Sequence, residues 1–145
     1  MATPTTSTIF IADDDMEDLS LLEEAIMNHN PYLVIQTFRN SNELLHALTL
    51  QYPSLIVLDY NMPPTTGPEV LSLLKNNPNL RNIPKIIWSC SSNADHIRAC
   101  FSEGAVAYFI KPFSLAEYGN LAKEICAHLK SRNLISDTSD DLYFE

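Results

Sequence analysis

Glycine is scarce. Only Gly67, Gly104 and Gly119 occur in 145 residues, far apart from one another. That spacing excludes a glycine-rich loop of the kind that cradles nucleotide phosphates. Cationic side chains are also few. Nine Lys and Arg stand against 18 Asp and Glu, the net charge is −9, and the basic residues form no cluster. Direct nucleic-acid binding through a basic face is thereby excluded. The three cysteines, Cys90, Cys100 and Cys126, are odd in number and lack any Cys-x-x-Cys spacing, which argues against a disulfide framework and a zinc site. The four histidines (His29, His46, His96, His128) are scattered and read as half-buried or solvated helix residues. No apolar run approaches the length of a membrane span, and the N-terminus has no basic segment followed by an apolar one. The expectation is a soluble, cytoplasmic protein with no membrane contact.

What is present is a core. Apolar residues make up 46% of the chain, enough for one domain. Residues 1–7 are Thr-rich and read as a flexible lead, 8–130 as the domain, and 131–145 as an acidic, disordered tail in which Leu142-Tyr143-Phe144 offers a small docking patch. Two short apolar runs, Thr8 to Ala12 and Leu55 to Leu58, have no polar alternation and read as strands buried on both faces. Further strands are expected at 33–38, 85–89 and 106–110.

Helices fill the gaps. Leu19, Leu22, Ala25, Ile26 and His29 recur at helical spacing. Ser41 reads as the N-cap of a second helix, with Leu44, Leu45 and Leu48 as its stripe. Val70, Leu71 and Leu74 mark a short third helix. A fourth runs from Ala94 to Glu103 and stops at Gly104. Ser114 caps the last, whose stripe is Tyr118, Leu121, Ala122, Ile125 and Leu129. Five strands alternating with five helices imply an α/β fold, a doubly wound parallel sheet with helices on both faces.

In such a sheet all strand carboxyl ends share one edge, where ligand crevices form. This chain brings Asp13-Asp14 there after the first strand, Asp59 after the third, Ser89 after the fourth and Lys111 after the fifth. Each residue alone is a weak signal; the joint occurrence is strong. Asp15, Glu17 and Asp18 suit the start of a helix, whose exposed N–H groups favour acids. Carboxylates packed together repel unless one takes up a proton or a cation neutralises them. A hard divalent ion with oxygen ligands does so, and Mg²⁺ (or Mn²⁺) fits a site of one or two carboxylates plus phosphate oxygens. An ionised Asp59 can then attack a phosphoryl group, whose oxygens need the ammonium and hydroxyl nearby. Without a nucleotide cradle, that group must come from a partner or a small donor.

The constellation resembles the receiver domain of two-component response regulators, CheY-like and flavodoxin-like in fold. The match is carried by Asp13-Asp14, Asp59-Tyr60-Asn61-Met62-Pro63 with Gly67, Ser89, and Tyr108-Phe109-Ile110-Lys111-Pro112-Phe113, and spans Thr8 to Lys130. The resemblance implies a strand order of 2-1-3-4-5 and Asp59 as phosphoacceptor. It implies Asp14, Asp59 and the Asn61 backbone carbonyl as metal ligands, with Asp13 acting through water. The run of three aspartates leaves the register open by one position; the family's acidic pair follows the strand directly, which gives Asp13 and Asp14. Ser89 and Lys111 would bind the phosphoryl group, and Ser89 and Tyr108 would form the switch. The bond before Pro112 is expected to be cis. Asn61, Ser91 and Cys90 would tune phosphate lifetime, Cys90 standing where the family usually has Ala or Gly. Trp88 is bulkier than the β-branched residue usual before the switch hydroxyl.

A stand-alone receiver would signal through a changed surface rather than catalyse, so it is not an enzyme in the ordinary sense. The implied donor is a histidine kinase or a histidine phosphotransfer protein. The implied output face is the fourth helix, fifth strand and fifth helix, including His96, Arg98, Ala99 and Tyr118; a downstream protein, or a second copy in a homodimer, would dock there. Two other classes fit the residues less well. A phosphorylation-independent adaptor would not need every site residue type. An aspartyl-phosphate phosphohydrolase usually has a second acid where this chain has Asn61, and a cap for which there is little room.

Overall fold

A computed structural model of the chain describes residues 7–137. Its elements follow in the order β1 (Thr8–Ala12), α1 (Met16–His29), β2 (Val34–Phe38), α2 (Ser41–Ala47), β3 (Leu55–Asp59), β4 (Asn61–Met62), β5 (Thr65–Thr66), α3 (Gly67–Lys75), β6 (Lys85–Ser89), α4 (Ala94–Ser102), β7 (Ala107–Ile110) and α5 (Leu115–Asp137). The main sheet is parallel, in the order β2-β1-β3-β6-β7. Counted among these five strands alone, that is the expected 2-1-3-4-5.

The unalternating runs are central because each faces a core on both sides. Side chains of successive strand residues point to opposite faces. Ile9, Ile11, Leu55 and Val57 therefore join α1 and α5 residues such as Leu22, Ile26 and Ile125 on one face. Phe10, Ala12, Ile56 and Leu58 join Leu44, Val70, Leu71, Leu74 and Cys100 on the other. β2 and β7 are edge strands, and their half-exposed patterns follow from that place.

Four local details depart from expectation. Asn40, not Ser41, caps α2: its side chain accepts the Glu43 N–H at 2.8 Å, while buried Ser41 accepts a hydrogen bond from Thr65 Oγ1. The turn after Asp59 contains a small antiparallel hairpin, β4 with β5, around the cis Pro63–Pro64 bond. Tyr118 lies 5% exposed in the core against Trp88, so it is no part of an outer face; it belongs to the apolar stripe of α5. Finally, α5 continues past Lys130 to Asp137, into the segment read as tail. Ser131 to Asp137 holds neither Pro nor Gly, so nothing in it stops a helix. Residues 1–6 and 138–145, with the Leu142-Tyr143-Phe144 patch, lie outside the described residues.

Two glycines have clear work. Gly104 takes a φ of +102° at the end of α4, a conformation other residues rarely adopt. A Cβ at Gly67 would lie 3.1 Å from Ile87 and 3.3 Å from the Tyr60 Cα, so this glycine lets α3 start tight against the turn that follows Asp59. Among the described residues, no helix is long and apolar enough to cross a membrane.

Candidate functional site

The carboxyl ends of β1, β3, β6 and β7 open into a cleft of about 670 Å³ lined by Asp14, Asp15, Asp18, Asp59, Tyr60, Asn61, Ser89, Cys90, Ser91, His96 and Lys111, among others. Main-chain bonds fix the frame. The Asp13 N–H donates to Phe38 O, the Tyr60 N–H to Trp88 O and the Lys111 N–H to Ser89 O. Each strand thus delivers its terminal residue to the same edge.

Carboxylate oxygens of Asp13, Asp14 and Asp59 lie within 4.8 Å of one another. Asp13 and Asp59 are buried, and Asp14 is exposed. The Lys111 ammonium, also buried, is 2.6 Å from Asp13, 2.8 Å from Asp18 and 3.5 Å from Asp59. It also lies 4.8 Å from the centre of the Trp88 ring. Asp13 Oδ1 accepts the Asp15 N–H at 2.9 Å. Its buried Oδ2 meets the ammonium as an ion pair without the alignment of a hydrogen bond.

Charge crowding shows in the proton affinities. Burial raises Asp59 to about 7; the Asp13 charge adds to this, while Lys111 and the Asn61 N–H oppose it. Burial likewise raises Asp13 against the pull of Lys111 and the Asp15 N–H. Burial works against the Lys111 charge, but contact with Asp13 and Asp18 outweighs it, and its pKa is raised. One ammonium is shared among several acids, so the site is under-neutralised. A buried carboxylate oxygen with no hydrogen bond and three converging acids form a hard-oxygen donor set, which suits a divalent cation of the Mg²⁺ type.

Ser89, one of the two residues expected to form the switch, lines the same cleft as the acids, and Tyr108, the other, reaches it through Ser91. Ser89 Oγ accepts the Ser91 N–H at 3.0 Å, and the Tyr108 hydroxyl donates to Ser91 O at 2.7 Å. Ser91 Oγ also meets His96 Nδ1 at 2.9 Å, and the His96 ring stacks on Tyr60 with centroids 4.5 Å apart. His96 therefore faces the cleft rather than an outer surface. Arg98 is exposed and ion-paired with Asp95. Cys90 is an exposed free thiol at the cleft. The Lys111–Pro112 bond is trans, because the only cis peptide among the described residues is Pro63–Pro64. Trans is the intrinsic preference of X–Pro bonds, and with it the Lys111 ammonium already reaches the acids.

Asp18 is the residue the sequence reading did not assign to the site. From sequence it is a helix-start acid, and Asp15 does cap α1 by accepting the N–H groups of Glu17 and Asp18. Three residues past the cap, Asp18 also faces Lys111. The available signal was an acid one turn into the helix behind the acidic pair; the direction it faces follows only from the docking of α1.

The family model for the response regulator receiver domain matches residues 9–123. The chain is 32% identical over 110 residues to the two-component response regulator ORR13 of Oryza sativa subsp. japonica, covering 75% of this chain and 89% of that protein. It is 30% identical over 139 residues to a probable cyclic di-GMP phosphodiesterase of Vibrio cholerae, covering 95% of this chain. The chain spans about a third of that relative, 31% of its length. Among solved structures, the phosphorylated cyanobacterial phytochrome response regulator RcpA superposes with a TM-score of 0.81 at 29% identity, covering 88% of this chain and 96% of that one. The Mn(2+)-bound form of response regulator Rcp1 gives 0.73 at 26% identity, covering 82% and 91%. A CheY-like sheet whose strand ends carry these acids and this lysine, matched over most of its length, makes the chain a member of the response regulator receiver family, a signalling domain of two-component systems.

Proposed function

We propose that the chain is a phosphorylatable switch in which Asp59 accepts a phosphoryl group and the resulting surface change regulates a partner protein. The observation that carries this reading is the seat of Asp59: a buried carboxylate at the cleft floor, with Asp13 and Asp14 within 4.8 Å and the Lys111 ammonium at 3.5 Å. The donor is a phosphohistidine on a kinase or phosphotransfer protein, in the cytoplasm. An Asp59 carboxylate oxygen forms a bond to phosphorus as the phosphorus–nitrogen bond breaks, and the imidazole leaves with the electron pair and takes up a proton. Asp13, Asp14, Asp59 and the Asn61 carbonyl would hold Mg²⁺ or Mn²⁺. Bound there, the ion supplies positive charge that favours ionised Asp59 and offsets the phosphoryl charge.

The chain's own groups do the rest. Lys111 pairs with a phosphoryl oxygen, and the Ser89 hydroxyl turns to donate to another. Ser89 then gives up its bond from the Ser91 N–H. That movement reaches Tyr108, which is bonded to Ser91 O, and His96 at the start of α4. The output surface is the face of α4, β7 and α5, for a downstream protein or a second copy. Asn61, Ser91 and Cys90 flank the path of attacking water and tune the lifetime of the phosphate; Cys90 narrows the approach to Asp59, and unchanged labelling and decay rates in Cys90→Ala would remove that role.

The test is to incubate the chain with Mg²⁺ and a small acyl phosphate and to weigh the intact protein. One phosphoryl adduct, absent in Asp59→Asn, supports the switch. No adduct from any donor or kinase would leave an adaptor, and sustained turnover of phosphate esters would indicate a hydrolase.

A further inference from the structure

Lys111 is held by more than the proposed acceptor. Of the carboxylates around its ammonium, Asp18 alone accepts an aligned hydrogen bond among the described residues, at 2.8 Å. Asp13 is nearer, at 2.6 Å, and Asp59 farther, at 3.5 Å. Asp18 rides on the first turn of α1, which Asp15 pins by accepting the Glu17 and Asp18 N–H groups at 3.0 and 3.1 Å. It is thus a fixed anchor, carried by a different element from any acid the sequence reading assigned to the site.

An ammonium is a point charge with rotatable donors and no built-in direction. In a buried group of acids it moves toward whichever carboxylate is least compensated. Drawn fully onto Asp59, Lys111 would hydrogen-bond the oxygen that must attack phosphorus and mask it. The nearer contact, to Asp59 Oδ1, is 3.5 Å long and leaves the Asp59 carboxylate without a hydrogen bond from the ammonium. Taking Asp59 as the acceptor, we infer that Asp18 is a positioning residue for phosphoryl transfer. It holds the Lys111 ammonium just short of Asp59, so the nucleophilic oxygen stays open and the remaining donors wait for the incoming phosphoryl oxygens. Asp18 touches no reacting atom; it acts through Lys111.

The test uses the full chain with saturating Mg²⁺ and an acyl phosphate, following phosphoprotein by intact mass. Asp18→Ala is expected to slow initial labelling roughly three- to tenfold, the range of a lost positioning contact between neighbouring residues. Asp18→Asn keeps a carbonyl acceptor for the ammonium and is expected to recover part of the rate. In a Lys111→Met background, Asp18→Ala should change the rate by less than about twofold, because residues that act through one contact are non-additive. A second readout needs no phosphorylation. Trp88, the sole tryptophan, lies 4.8 Å from the ammonium, so in metal-free buffer Asp18→Ala should alter its emission, and should not do so once Lys111 is Met.

An unchanged or faster rate in Asp18→Ala overturns the inference. So does an equal loss in the Lys111→Met background, which would mark a role only in starting α1. If the wild type itself gains no Asp59-dependent adduct, the acceptor reading falls and the inference with it. Normal wild-type labelling with an unaffected Asp18→Ala overturns the inference alone.

Discussion

In the metal-free chain, ionising Asp59 takes a proton from a buried carboxyl that faces the Asp13 charge, and its pKa stands at about 7 instead of 3.8. The folded chain therefore keeps a proton that the unfolded chain has lost. The contribution of this group to stability falls as pH rises from the unfolded value through about 7. Asp59→Asn cannot ionise. In chelator-treated buffer it should be more stable than wild type by roughly 2–4 kcal/mol at about pH 8, each pKa unit being worth about 1.4 kcal/mol, with the gap closing near about pH 4. Thermal unfolding of both proteins across pH checks this; an offset that does not vary with pH would contradict it. Lys111 and Trp88 give a second residue-scale prediction. Transfer to Asp59 draws the ammonium toward the phosphoryl group, so Trp88 emission should change on labelling, and Lys111→Met should abolish the response. Asp13, Asp59, Ser89 and Lys111 could be read from sequence because each sits directly at the end of an apolar run, where strand direction alone fixes its place. Asp18, His96 and the burial of Tyr118 could not, because the direction a helix residue faces is set by docking rather than by spacing.

Elements are placed by their ends, and α4 shows how much rests on one end. Asn93 Oδ1 accepts the Asp95 and His96 N–H groups at 2.8 and 3.2 Å, satisfying donors that a helix start leaves open. The residue it fixes, His96, is also the one joined to Ser91 and stacked on Tyr60. Asn93→Ala should cost about 1 kcal/mol, the usual worth of an N-cap. The loss is expected to appear as faster amide exchange in the first turns of α4, with the β1 and β3 amides unchanged. Equal acceleration across the central strands would show that α4 does not loosen independently of the sheet. The five main strands and five helices were legible because unbroken apolar runs and a period of about 3.6 are properties of the chain itself, while the two-residue strands of the β4–β5 hairpin are too short to leave such a pattern. Ends were less so. Ser41 and Asn40 are both good caps, and only the backbone selects Asn40. Polarity alone suggests a tail from Ser131, yet polar residues without Pro or Gly continue α5 to Asp137.

At the scale of the whole molecule, the net charge of −9 is unevenly placed, with Asp13, Asp14, Asp15, Asp18 and Asp59 gathered at one edge of the sheet around a single buried lysine. That edge stands apart from both hydrophobic layers, which close without help from the acids. Chelation should therefore leave the chain folded, and adding a divalent cation should stabilise it by mass action, about 2.7 kcal/mol at a hundredfold excess over Kd. The cation competes with the proton on Asp59. Its stabilisation should grow as pH rises toward about 7 and level off above, the reverse of the metal-free trend from the same carboxylate. Melting curves with and without Mg²⁺ over that range test the coupling. Asp14→Ala, which removes an exposed acid of the cluster that makes no contact with Lys111, should weaken the Mg²⁺ effect while leaving the metal-free stability within about 0.5 kcal/mol of wild type, as for other surface substitutions. A Mg²⁺ shift that persists in full in that variant would place the cation elsewhere.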